Sequence, residues 1–231
     1  MAINKESNIY TFGFSIILVV IVGAILSSLS LGLKPIKDNN ASIKKKMDIL
    51  MAIGQESDRS SAEELYGKFI GENAFVISAQ GKKIEGEDAF NLDVQKQHRD
   101  KTISADDRKY PVFVASNDQE KRFILPVVGK GLWGPIWGFV AIDENQKIVG
   151  ASFDHKTETP GLGAEIKNTE FEEQYIGASI SSHIGVVKDG SGKELGDQKV
   201  DGITGGTITS KGVEEMMNRT MDIYLKYFKN Q

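Results

Sequence analysis

The chain has 231 residues, no cysteine, and a mildly acidic balance of 28 Lys and Arg against 32 Asp and Glu. That length accommodates a membrane segment plus one sizeable globular domain. No basic excess exists to attract nucleic acid, so that partner is set aside, and the lack of cysteine excludes disulfides, thiolate metal sites, iron–sulfur ligation and thioether-attached haem.

No charged residue occurs between Ser7 and Leu33, and residues 16–26 read IILVVIVGAIL. About 20 apolar residues are needed to cross the hydrocarbon core as a helix, so this run predicts a single transmembrane helix. A removable signal peptide ending near Ser27 and Ser28 is the alternative. The apolar stretch is longer than a usual signal core and continues through Leu29, Leu31 and Leu33, which favours a retained anchor. Lys5 beside Glu6 precedes the helix, whereas Lys34, Lys37, Lys44, Lys45 and Lys46 follow it. The positive-inside rule alone would put the following domain in the cytoplasm.

Lys34-Pro35 and the polar run 37–42 read as a juxtamembrane linker, and Ile43, Met47, Leu50 and Met51 give 43–53 helical spacing with Gly54 as terminator. A second helix is predicted over 60–72, with Leu65, Phe69 and Ile70 on one face. Alternating or apolar runs predict strands at 75–78, 110–115, 122–128, 138–143 and 147–153. The last two flank Glu144-Asn-Gln146, a tight polar connection read as a β-hairpin. A short helix at 170–175, a strand at 183–188 and an amphipathic helix at 211–228 complete the chain. That final helix offers Val213, Met216, Met217, Ile223, Tyr224 and Phe228 to a core. The division expected is an anchor at 1–33, a juxtamembrane linker and helix at 34–58, and an α+β domain at 59–231, with an antiparallel sheet and packed helices.

Among chemical motifs, neither G-x-G-x-x-G nor G-x-x-x-x-G-K-[ST] occurs, and no serine stands in a G-x-S-x-G setting. His98, His155 and His183 have no metal-ligand spacing, so no metal site and no catalytic residue is expected. Three glycine-rich segments remain, at 129–138, 158–163 and 204–209. A flat aromatic ligand needs apolar faces, which Trp133 or Trp137 and Leu162 can supply. It also needs close main-chain approach, which Gly161 and Gly163 allow beside Pro160. Singly, each segment is an ordinary turn, the first with a packed tryptophan; together they are harder to dismiss. The last, Asp201-Gly-Ile-Thr-Gly-Gly-Thr-Ile-Thr-Ser210, leads into the final helix. Thr209 and Ser210 can cap it, and its exposed N–H groups favour an anion.

Together Gly131-Leu-Trp-Gly-Pro135, Glu158-Thr-Pro-Gly-Leu-Gly163 and Asp201-Gly-Ile-Thr-Gly-Gly-Thr207 resemble the FMN-binding domain family. That family is shared by the C subunit of sodium-translocating NADH:quinone oxidoreductases and the G subunit of Rnf complexes. Leu33-Lys-Pro35 with Ile49-Leu-Met-Ala-Ile-Gly54 looks more like the former. The resemblance implies FMN esterified through its phosphate to Thr207, with Trp133, Glu158, Thr159, Gly161, Leu162, Gly163, Thr204 and Gly205 around the cofactor. It also implies a flavin transferase that reads Asp201, Thr204, Gly205 and Gly206, takes FAD, joins FMN and releases AMP. Gly206 stands where the family usually has alanine, a change expected to be tolerated.

The implied role is electron relay from NADH toward quinone as one subunit of a bacterial inner-membrane redox complex, with no NADH or quinone site of its own. In these families the flavin domain faces the periplasm, against the lysine count. The Rnf G subunit is the nearest alternative. A non-redox anchored module that binds a phosphate ligand is the alternative from another class.

Overall fold

A computed structural model of the chain describes residues 7–117, 120–188 and 190–230. They form two compact units, Met1–Lys44 and Lys45–Gln231. In the first unit, helix α1 spans Asn8–Gly32 and none of its residues is buried. Its 25 residues reach about 37 Å at the α-helical rise, more than the hydrocarbon core requires. It is the one helix among the described residues long and apolar enough to cross a membrane.

Helix α2, Lys34–Ala52, begins far earlier than the spacing predicts. Residues 37–42, read as a linker, are helical. The run contains no glycine, and its one proline, Pro35, lies in the first turn, where a missing N–H costs no intrahelical bond. At the other end Gly54 acts as the predicted terminator. With φ of +76° it lets Gln55 N reach Leu50 O and Gly54 N reach Met51 O, the paired bonds of a Schellman cap.

In the second unit, helix α3 (Ala62–Phe69) precedes strands β1 (Ala74–Ser78) and β2 (Lys83–Ile84), and the short helix α4 (Val94–Arg99) follows. Asp93 caps α4 by accepting from Lys96 N at 2.8 Å. Then come β3 (Lys109–Asn117), β4 (Glu120–Lys130), β5 (Pro135–Ile142) and β6 (Ile148–His155). These strands form a six-stranded sheet in the order β2-β1-β3-β4-β5-β6, antiparallel throughout. The predicted hairpin at 144–146 joins β5 to β6, with Asp143 Oδ1 accepting from Asn145 N and Lys147 N.

Both faces of the sheet are covered, which is why β4 and β5 read as continuous apolar runs. Val76, Phe113, Ile124 and Phe139 pack on one side with Ile49, Leu50, Tyr66 and Ile70. Ile77, Val112, Leu125 and Val140 pack on the other with the C-terminal helix. One-residue alternation along each strand therefore fills two cores rather than one core and a wet face.

After β6 come helix α5 (Thr169–Glu172), then strands β7 (Gly185–Val187) and β8 (Lys199–Asp201), which form a separate parallel pair. Helix α6, Thr207–Lys229, closes the fold. Val213, Met216, Met217, Met221 and Tyr224 on its inner face are buried, while Ile223 and Phe228 are only partly so. Tyr224 Oη donates to Pro111 O at 3.0 Å and Pro126 O at 3.2 Å, fixing α6 across β3 and β4.

Helix α6 starts at Thr207, four residues earlier than predicted, with Gly206 at the N-cap position and no side-chain cap. Thr209 and Ser210 are therefore not caps but buried first-turn residues. The Ser210 hydroxyl donates to Gly206 O and accepts from Ile203 N, each at 3.0 Å, so it closes the turn before the helix.

Candidate functional site

The three glycine-rich segments meet. The β4–β5 loop, the segment after β6 and the start of α6 line an open cleft of about 250 Å³. Trp133, Glu158, Thr159, Leu162, Gly163, Gly205, Gly206 and Thr207 all face it. Thr209 lines it too, as do Leu132 and Ile208, which nothing in the sequence marks for a ligand beyond their places next to Trp133 and Thr207.

Gly161 and Thr204 sit on the flanking turns outside the lining, and Trp137 lies within β5 opposite Val128 and Asp154. Asp201 is away from the cleft altogether. Its Oδ1 accepts from Gly192 N at 2.9 Å, its own N–H donates to Gln174 Oε1 at 2.6 Å, and it lines a separate depression of about 510 Å³.

The walls are apolar and open to solvent. Trp133 is 67% exposed, Ile208 60% and Leu162 41%. Large apolar side chains grouped this way around a concave surface mark a ligand or partner site rather than random surface composition.

Beneath them sits Glu158, only 4% exposed. Its Oε1 accepts from Trp133 N at 2.8 Å and Gly134 N at 3.1 Å, and its Oε2 accepts from Thr209 Oγ1 at 2.6 Å. The Glu158 N–H donates to His155 Nδ1 at 3.2 Å. One carboxylate thus joins all three segments. Both of its oxygens are met by donors, as a polar group taken out of water requires. Room for it depends on glycine: a Cβ at Gly163 would stand 2.5 Å from Thr209 Oγ1 and 2.6 Å from Glu158 Oε2. A Cβ at Gly131 would stand 2.6 Å from Glu158 Oε1.

The hydroxyls at the start of α6 are not equivalent. Those of Thr209 and Ser210 are committed to Glu158 and to Gly206 and Ile203. Among the described residues the Thr207 hydroxyl has no hydrogen-bond partner, and Thr207 is half-buried in the cleft lining. The first intrahelical bond of α6 runs from Ser210 N to Gly206 O, so the N–H groups of residues 207–209 stand ahead of the ladder. The helix dipole is positive there, and an anion beside Thr207 meets backbone donors as well as that field.

The FMN-binding domain family matches residues 131–222, a stretch that contains all three segments of the cleft. The C subunit of the Na(+)-translocating NADH-quinone reductase of Vibrio parahaemolyticus is 32% identical, over 93% of this chain and 90% of that protein. Its counterpart from Haemophilus ducreyi is also 32% identical, over 91% and 88%. The chain belongs to the family of these C subunits. A crystal structure of the Parabacteroides distasonis member is 40% identical with a TM-score of 0.76, covering 86% of this chain and 98% of that one. The Shewanella oneidensis NqrC structure, at 19% identity and a TM-score of 0.66, shares the fold.

The residues present fit FMN. Apolar faces suited to a flavin ring stand at Trp133 and Leu162, and helix N–H groups unpaired among the described residues, suited to its phosphate, stand at the start of α6, about the same cleft. The chain is a flavoprotein subunit of a multisubunit redox complex.

Proposed function

We propose that this chain carries FMN as a phosphodiester on Thr207 and relays electrons from NADH toward quinone within a sodium-translocating complex of the bacterial inner membrane. The observation that carries the attachment is the contrast among hydroxyls: that of Thr207 has no partner among the described residues and Thr207 lines the cleft, while those of Thr209 and Ser210 are engaged in the fold. Thr204 is exposed and outside the lining. A phosphodiester on Thr207 retains one negative charge ahead of α6, a placement typically worth about 0.3–1 kcal/mol.

Attachment balances as a transfer from FAD. The Thr207 hydroxyl oxygen forms a bond to the phosphorus on the FMN side, the pyrophosphate linkage breaks, AMP leaves, and the hydroxyl proton is lost. A flavin transferase supplies this step and reads residues 201 and 204–206. Gly206 is compatible with it, being buried at the N-cap position where the peptide chain turns into α6.

Once held, FMN supplies the electron-accepting and electron-donating chemistry; the chain supplies position, polarity and exposure. Trp133 and Leu162 offer faces for the ring, and residues 159–163 with Gly205 give close backbone approach. At about 250 Å³ the cleft lies below the usual range for a site that engulfs a ligand. Part of the cofactor then stays accessible to a redox partner. Residues 1–33 serve as a single-pass anchor, 34–58 as the juxtamembrane segment, and 59–231 as the flavin domain on the periplasmic side. A covalent link suits that side, where a dissociable flavin would be lost by dilution.

The experiment is a denaturing gel viewed under ultraviolet light, with protein produced alongside the transferase. The wild-type band is expected to fluoresce and a Thr207→Ala band to be dark; a fluorescent Thr207→Ala band would put the attachment elsewhere.

A further inference from the structure

The cleft holds a second feature that neither attachment nor ring packing uses. Glu158 is buried in its lining, and its two oxygens only accept hydrogen bonds, the role of an ionised carboxylate. All three donors that reach its oxygens, Trp133 N, Gly134 N and Thr209 Oγ1, are neutral, and among the described residues no lysine, arginine or histidine forms an ion pair with it. Buried charges are usually paired. Here the site is built around the carboxyl group: Gly131 and Gly163 leave the space its two oxygens occupy, since a Cβ at either would stand 2.6 Å from one of them.

A merely structural brace would not need the charge. A glutamine carbonyl accepts the same two backbone N–H groups, and its NH₂ can donate to the Thr209 oxygen. What the carboxylate adds is a fixed negative potential beside the ligand, from a side chain that is itself shielded from solvent and so screened less than a surface charge. Adding electrons to a group in this cleft adds negative charge next to that field.

We infer that Glu158 is a positioning residue that sets the flavin's reduction potential, holding it lower than the same cleft would without the charge. Its hydrogen bonds fix the anion at one place between the Trp133 loop and the start of α6, and the field of that anion opposes reduction of the cofactor. This rests on the FMN reading of the cleft, and its dependence on Thr207 is separable.

The test is a spectroelectrochemical titration of the full chain, produced with the transferase, as wild type and Glu158→Gln. The midpoint potential of Glu158→Gln is expected to move upward. Thr209→Val keeps the charge but removes the side-chain donor that partly compensates it, so its potential is expected to move downward. Should Glu158→Gln fail to fold, the Thr209→Val arm decides. Potentials unchanged in the variants that fold, or moved in the opposite sense, would overturn the inference.

Amide hydrogen exchange on flavin-free Thr207→Ala protein, with and without Glu158→Gln, separates charge from geometry. Protection at Trp133 and Gly134 is expected to stay within a few-fold, and a loss beyond about tenfold would make the role structural and overturn it. If the wild-type band lacks covalent flavin, the Thr207 reading fails on its own. The same comparison then runs on protein reconstituted with free FMN, with the same upward shift expected and an unchanged potential contradicting it.

Discussion

The Thr209 hydroxyl donates to the Glu158 carboxylate at 2.6 Å across 51 residues of sequence, and Gly163 lies against both partners. This contact makes one site from a helix start and a loop that are distant in the chain. Because α6 begins at Thr207, Thr209 lies within its first turn, and its hydroxyl donates to a neighbouring segment. Thr207, two positions earlier, is left facing the cleft.

Gly163→Ala is therefore expected to be costly although it adds one methyl group. The new carbon would stand 2.5 Å from Thr209 Oγ1 and 2.6 Å from Glu158 Oε2. Neither can move freely, since Glu158 is held by two backbone donors and Thr209 by its helix. A loss of about 1–3 kcal/mol is expected from overpacking, read as a lower urea midpoint with an unchanged slope. Wild-type stability in this variant would mean that the three segments are not locked together.

Lys45 predicts a pH dependence. Burial pushes its ammonium from the ordinary 10.5 down to about 8, against the opposing pull of Asp93 and Asp88. It lies over the Phe90 ring, 4.9 Å from the centroid, and donates to Phe90 O. Between pH 8 and 10.5 the unfolded chain holds a proton that the folded chain has released, so stability rises with pH through that window. Below pH 8 the cost of the buried charge is present in full. Wild type should accordingly gain stability relative to Lys45→Met as pH is raised from 8 to 10.5, measured by urea titration of both. A constant difference across that range would contradict the shift.

Topology is checked by protease shaving of intact spheroplasts. With the flavin domain on the periplasmic side, the domain should be digested while a cytoplasmic control protein survives. Protection of the domain would favour the orientation that Lys34, Lys37 and Lys44 suggest by charge alone.

Much of this fold is legible in the residues, for physical reasons. The long strands, the β5–β6 hairpin, the Gly54 cap and the inner face of α6 carry strong local signals. Strands β2 and β8, of two and three residues, are too short to show any periodicity. Helix α4 does have a readable start, Asp93 before Val94, but only one and a half turns follow it. The early start of α6 is hidden because Gly205 and Gly206 look like loop. What makes them the helix entrance is the Ser210 hydroxyl, which bonds back to Gly206 O and Ile203 N.

The site divides the same way. That Trp133, Leu162 and Thr207 belong together is what the resemblance of their three segments to FMN-binding domains implies. Glu158 is visible in the sequence as a member of that group, but not as its buried brace, because its partners at 133, 134 and 209 are brought to it only by the sheet and α6.

Mass spectrometry of the segment between Lys199 and Lys211 tests the attachment of FMN to Thr207. Trypsin releases it as one peptide containing Thr204, Thr207, Thr209 and Ser210. From protein made with the transferase, that peptide should gain the mass of one FMN less one water, and fragmentation should assign the gain to Thr207. An unmodified peptide, or a gain assigned to Thr204, Thr209 or Ser210, would contradict it.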